Sequence, residues 1–150
     1  MRKIVFACLH NAGRSQMAAA FFNALVDPTK ARAYSAGTQP AARVHPEVIS
    51  VMKELGIDLA DAKPQRLTTE MLAGADLLVT MGCGEECPFV PGIRIEDWQL
   101  GDPKGQPLER VREIRDEVRR RVERLLLATE ALTTGVSRAS NSIGSEPLGD

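Results

Sequence analysis

Cysteine is scarce in this chain, with three residues in 150, and so few, in an odd number, do not build the disulfide framework of a small secreted domain. An excess of charge is missing too. Nineteen basic residues stand against twenty acidic ones, a formal charge of -1, so no broad cationic field marks a nucleic-acid binder. No apolar run approaches the length of a membrane span, and Ile4 to Leu9, behind Arg2 and Lys3, is about half the minimum core of a secretory leader. These shortages point to a cytoplasmic protein whose partners are small molecules or other proteins, with no nucleic acid and no membrane. In such a reducing compartment, clustered cysteines serve catalysis or metal binding more often than crosslinking.

What is present fits one domain with its own core: 150 residues, 43% hydrophobic and 26% charged. Lys3 to Ala7 predicts a short buried strand, and from Gln16 onward Met17, Ala20, Phe21, Ala24 and Leu25 repeat at helical spacing until Asp27-Pro28 stops them. Arg32 to Ala36 reads as a second strand ending at Gly37. In "HPEVISVMKELG", Val48, Val51, Met52 and Leu55 share a helical face closed by Gly56. Thr69 is a candidate cap for a short helix over Glu70 to Ala73, and "ADLLVTM" reads as a strand apolar on both faces. "RIEDW" is a weaker fourth strand. Leu108, Val111, Ile114, Val118, Val122 and Leu125 mark a long amphipathic helix beginning near Pro107. Such alternation predicts a three-layer α/β fold, with a parallel sheet flanked by helices.

The arginine-rich stretch "RVREIRDEVRRRVER" alternates with acids opposite the apolar stripe, which makes it a solvated helix face and not a nucleic-acid site. Beyond Leu132 the chain turns to Ser, Thr, Gly and Pro. Residues 1–132 are therefore expected to form the single domain and 133–150 a flexible C-terminal tail.

Chemistry concentrates in "CLHNAGRS", residues 8 to 15, between the first strand and the first helix. Backbone N–H groups of such a loop, with the helix dipole behind them, cradle an anion. Arg14 adds a planar fork of donors suited to a tetrahedral oxyanion, and the same positive surroundings favour the thiolate of Cys8. Gly13 lets the loop close tightly, and Asn11 and Ser15 can donate further hydrogen bonds to the thiolate or the loop. Leu9, His10, Asn11, Ala12, Gly13, Arg14 and Ser15 are thus the candidate substrate-binding residues around the nucleophile Cys8. His10 is read as shaping the loop, not as a base. Neither G-x-x-x-x-G-K-[ST] nor G-x-G-x-x-G occurs.

Cys-x5-Arg-Ser directly after the first strand resembles the low-molecular-weight protein tyrosine phosphatase fold, and "CLHNAGRSQMAAAFF" resembles its arsenate reductase branch. The likeness continues through "SAGTQP", "HPEVISVMKELGID", "LVTMGC", "CPFVPG" and "EDWQLGDP" to the final helix, over about residues 3 to 127. Gln16 stands where the phosphatases typically carry proline. The resemblance implies a Rossmann-like sheet of four parallel strands. It implies a thiol–arseno adduct on Cys8, Asp102 as general acid, and a disulfide relay from Cys8 through Cys83 to Cys87. It also implies an external thiol reductant, thioredoxin foremost, with glutaredoxin or mycothiol as alternatives, and no bound cofactor. Ala19 stands where related reductases often carry a glutamate associated with potassium, so no metal is expected. A zinc site on Cys83 and Cys87 lacks a second pair of ligands.

The alternative is a tyrosine phosphatase, which needs only Cys8, Arg14 and Asp102. That reading calls for aromatic walls around a phosphotyrosine ring, yet Tyr34 is the only tyrosine and "GDPKGQ" places no aromatic beside Asp102.

Overall fold

The computed structural model describes residues 1–82 and 92–134, with side chains to residue 128. Four strands, β1 (Arg2–Cys8), β2 (Ala31–Gly37), β3 (Leu77–Thr80) and β4 (Arg94–Asp97), form one parallel sheet in the order β2-β1-β3-β4. Helix α1 (Arg14–Leu25) follows β1, α2 (Pro46–Lys53) follows β2, and the four-residue α3 (Thr69–Leu72) precedes β3. The long α4 (Leu108–Thr134) ends the described chain. Connections leave β1 in one direction toward β2, while β3 lies on its other side. The carboxyl end of β1 is therefore the point where strand order reverses, the place where open α/β sheets hold ligands.

The two faces of the sheet are unequally covered. Ile4, Phe6, Leu77 and Val79 point toward α1, α2 and α4, where they join Met17, Phe21 and Phe22 of α1, Val48 and Met52 of α2, and Val111, Ile114, Val118 and Val122 of α4. Phe6 anchors this side, with ring centroids 6.1 Å from Phe22 and 5.6 Å from Trp98. Val5, Ala7 and Leu78 face the other way onto Leu72 of α3 and the segments around it. All four residues of β3 are buried, as its unbroken apolar run requires.

Local departures from the sequence reading have simple causes. Thr68, not Thr69, caps α3: its extended backbone lets the hydroxyl accept from the Met71 N–H at 3.1 Å. Leu55 is 38% exposed because α2 stops at Lys53, and Gly56 (φ +81) then turns the chain back with Gly56 N–H on Lys53 O and Ile57 N–H on Met52 O. Leu25 and Leu108, at the ends of their helices, are also exposed. Helix α1 begins at Arg14, so the candidate oxyanion residues Arg14 and Ser15 lie in its first turn. Helix α4 continues through Thr134, past the expected boundary at Leu132; the rest of the expected tail, 135–150, is outside the described residues.

One ionic staple fixes α2 against α4. Arg112 grips the Glu54 carboxylate with Nε at 3.0 and 3.1 Å and Nη2 at 2.8 Å, and the buried Arg115 adds Nη1 at 2.8 Å while also donating to Val51 O. The hydrogen bond from Arg112 leads the causes that hold the Glu54 carboxyl down at about 2, from an ordinary value of 4.5. A lowered folded value means that the unfolded chain binds the proton first. The staple's contribution is thus full above pH 4.5 and fades as pH falls toward about 2. Urea midpoints of Glu54→Gln should lie below the parent by a constant amount above pH 4.5 and converge on it toward pH 2; a pH-independent gap would show that the carboxylate's ionisation is not what stabilises the contact.

Candidate functional site

The loop after β1 is shaped by where its carbonyls go. Cys8 O accepts from Thr38 N–H at 3.2 Å, Leu9 O from Gln39 at 2.8 Å, His10 O from Ala41 at 3.0 Å and Ala12 O from His45 at 2.9 Å. Each peptide is planar and trans, so the N–H groups of the same peptides face the other way, onto the inner side of the loop. Asn11 has φ 51, the left-handed region that asparagine tolerates better than most residues, and it turns the loop back toward α1. Gly13, the residue before α1, gives that helix no side-chain cap, so no side chain takes up its first N–H groups, the arrangement of helix N-termini that bind anions.

Two glycines set the loop's clearances. A methyl group on Gly37, at the end of β2, would lie 2.7 Å from Leu9 O, 2.8 Å from Asn11 N and 2.9 Å from His10 C. On Gly13 it would lie 2.7 Å from Pro103 Cγ, which is how closely the Asp102-Pro103 segment covers the loop.

Cys8 is 2% exposed, and its Sγ lies 2.9 Å from Ser15 Oγ. Asn11 Nδ2 donates to the same Ser15 oxygen at 2.7 Å. Arg14 stands at the rim, its side chain 11% exposed, with Nη1 3.4 Å from Leu100 O and Nη2 3.8 Å from Asp102 Oδ2. Asp102 is half exposed and its Oδ1 accepts from Lys104 N–H at 3.0 Å. The sequence-predicted Cys8, Asn11, Gly13, Arg14, Ser15 and Asp102 are thus brought together from two ends of the domain.

Beside this loop opens a cavity of about 430 Å³ whose wall includes His10, His45, Arg66 and Lys104, together with Gln39 and Pro40. Among the described residues its wall carries no aromatic side chain apart from the two imidazoles. Burial pulls His45 below the usual imidazole range, against the opposing pull of Glu47 and Asp102.

Cys83 and Cys87 lie outside the described residues. Gly82, the last residue described after β3, has φ +89, and a methyl group there would fall 2.5 Å from Arg14 Nη1. The chain thus reaches Arg14 immediately before Cys83 in the sequence. Among the described residues no three His, Cys, Asp or Glu side chains gather as a metal site, and no helix is long and apolar enough to cross a membrane.

Sequence reasoning did not single out Gly37, Pro103 or His45 as parts of the site. Only their positions at the end of β2, before α2 or next to Asp102 could have signalled them, because what matters is a close approach between distant segments.

Residues 3–138 match the family described as low molecular weight phosphotyrosine protein phosphatase. The chain is 38% identical over 129 residues to the glutaredoxin arsenate reductase of Synechocystis, covering 84% of this chain and 97% of that protein. Among solved structures it is similar to the thioredoxin-dependent arsenate reductase Cg_ArsC1' of Corynebacterium glutamicum. That match has 33% identity and a TM-score of 0.74, and it covers 88% of this chain and 63% of the other. A further structure, an arsenate reductase in the phosphate binding state, matches with 36% identity and a TM-score of 0.75, over 86% of this chain and 99% of that one.

Proposed function

This chain belongs to the low molecular weight phosphotyrosine protein phosphatase family, and from that premise we propose that it is an arsenate reductase using Cys8 as nucleophile and Cys83 and Cys87 as a disulfide relay. The observation that carries the oxyanion chemistry is the meeting of three groups in one loop: a buried Cys8 thiol hydrogen-bonded to Ser15, uncapped α1 amides, and the Arg14 guanidinium. Arsenate and phosphate share shape and charge, and one related structure is named for a phosphate-binding state.

In the first step the Cys8 thiolate attacks arsenic, forming an S–As bond, while Asp102 protonates the departing oxygen, which leaves as water. Leu9 to Ser15 hold the remaining oxygens through loop amides and Arg14. Cys83 then attacks Cys8 Sγ; the S–As bond breaks and its electron pair stays on arsenic, which leaves as arsenite. The Cys8–Cys83 disulfide so formed is attacked by Cys87 at Cys83, which returns the Cys8 thiolate and leaves Cys83–Cys87 for an external thiol. Thioredoxin is the proposed reductant, since a related structure is named thioredoxin-dependent; glutaredoxin and mycothiol are alternatives. The site of action is proposed to be the cytoplasm, where such reductants keep thiols reduced.

The second reading, a protein tyrosine phosphatase, rests on the family description. The cavity beside the loop speaks against phosphotyrosine, because among the described residues its wall sets only Pro40 and Ala41 as apolar faces beside two imidazoles, a guanidinium and an ammonium, with no phenyl or indole ring to stack on a substrate ring. Slow hydrolysis of small phosphate esters is compatible with the same loop.

Single and multiple turnover separate these readings. With thioredoxin, thioredoxin reductase and NADPH, Cys87→Ser should release about one arsenite per enzyme and then stop, and Cys83→Ser should release none. Sustained turnover by Cys87→Ser would overturn the relay, and phosphate-ester hydrolysis without arsenate reduction in the parent would favour the phosphatase.

A further inference from the structure

Beneath the loop lies a chain of buried polar contacts that the reaction above leaves unused. Gln16, 7% exposed, aims Nε2 at three oxygens: Asn11 O and Asn11 Oδ1 at 3.1 Å each and Lys63 O at 3.3 Å. Asn11 Oδ1 also accepts the backbone N–H of Gln65 at 3.0 Å. An atom that receives two N–H donors must be the amide oxygen, so the fully buried Asn11 side chain has one orientation, with Nδ2 toward Ser15 Oγ. That donation occupies a lone pair of Ser15 and turns its hydroxyl proton to Cys8 Sγ, 2.9 Å away. The segment from Lys63 to Leu67 is itself pinned to the end of β2, with Gly37 N–H on Gln65 O and Leu67 N–H on Gly37 O, both at 2.9 Å.

We infer that Gln16 is a positioning residue for the nucleophile: by holding Asn11 in its left-handed conformation and fixing its amide, it directs the Ser15 hydroxyl onto the Cys8 thiolate. The nucleophile's reactivity is thereby tied to the 63–67 segment, whose backbone supplies the other half of the lock. The inference rests on Cys8 being the nucleophile and not on arsenate being the substrate.

The test uses iodoacetamide alkylation of Cys8 in a Cys83→Ser/Cys87→Ser background, so that only Cys8 reports. Gln16→Met keeps length and removes the donor; Gln16→Glu keeps shape and presents an anion to three oxygens. At neutral pH Gln16→Met should alkylate about tenfold more slowly than the background protein and Gln16→Glu more slowly still, the scale of one charge-assisted hydrogen bond. Both should approach the parent rate at about pH 10, where the thiolate forms without help. In a Ser15→Ala background Gln16→Met should add nothing, because its effect passes through Ser15.

Glu54→Gln, which weakens the α2–α4 staple, controls for lost stability and should leave the profile in place. Parent-like alkylation by Gln16→Met at neutral pH, a deficit that persists at high pH, or full additivity with Ser15→Ala would each overturn the inference. Alkylation needs no oxyanion, so failure of the parent to reduce arsenate would count against the proposed function and leave this result standing.

Discussion

Cys8→Ser is expected to lower arsenite formation by about four orders of magnitude or more while leaving the fold unchanged. The substitution exchanges one atom at a site 2% exposed, and the new hydroxyl can keep the contact with Ser15. What it loses is chemistry. A serine alkoxide is inaccessible near neutral pH, and an oxygen at this position cannot enter a disulfide, so in the proposed relay the electron pair needed by arsenic has no source. Arsenite release in the thioredoxin-coupled reaction measures the loss, and thermal melting checks the fold. Turnover within a few fold of the parent would place the nucleophile elsewhere and remove the basis for assigning Arg14 and Ser15 to it.

Gly37→Ala should produce the next largest effect, although residue 37 touches no substrate. Its methyl group would meet three backbone atoms of the 8–15 loop at 2.7 to 2.9 Å, and backbone atoms cannot swing aside as a side-chain tip can. The loop must shift or β2 must part from β1 at the Cys8–Gly37 pairing. Overpacking of this kind costs about 2 kcal/mol, and a displacement of a catalytic loop by about 1 Å costs about a hundredfold in rate. Gly74→Ala is the comparison. Its φ of +75 strains alanine too, but nothing lies within 4 Å of the added methyl, so stability should fall with turnover retained. Equal turnover in both variants would show that the loop has slack that the contacts do not suggest.

Much of this architecture is legible in the residues. The apolar run at Leu77–Thr80 has no polar alternation, and its strand is buried on both faces. The steps of three and four from Val111 to Val122 mark the buried face of α4. Helix ends are less legible, because Leu25, Leu55 and Leu108 continue an apolar pattern beyond the packing surface that would bury them. Thr68 and Thr69 are chemically equal candidates for a cap; only the extended backbone at Thr68 chooses between them. At the site, Cys8, Arg14 and Ser15 announce themselves by spacing, since a strand, a short loop and a helix start are local events. Asp102 by composition is an ordinary turn residue before proline; the family resemblance alone makes it a candidate in the sequence, and the structure adds its place 3.8 Å from Arg14.

The sequence by itself determined the local units: a strand that delivers a cysteine, a loop and helix start that can gather donors, and alternating strands and helices that imply a parallel sheet. These follow from periodicity and from backbone groups a few residues apart. Tertiary structure alone decided which loop carbonyls are drawn outward by residues 38 to 45 and which glycines admit the close contacts at Gly13, Gly37 and Gly82. It also decided that Gln16, Asn11 and the 63–67 segment form one buried lock behind Ser15. Hydrogen-bond partners some fifty residues apart leave no periodic trace in a chain, since what selects them is the strand order β2-β1-β3-β4 and the packing it imposes.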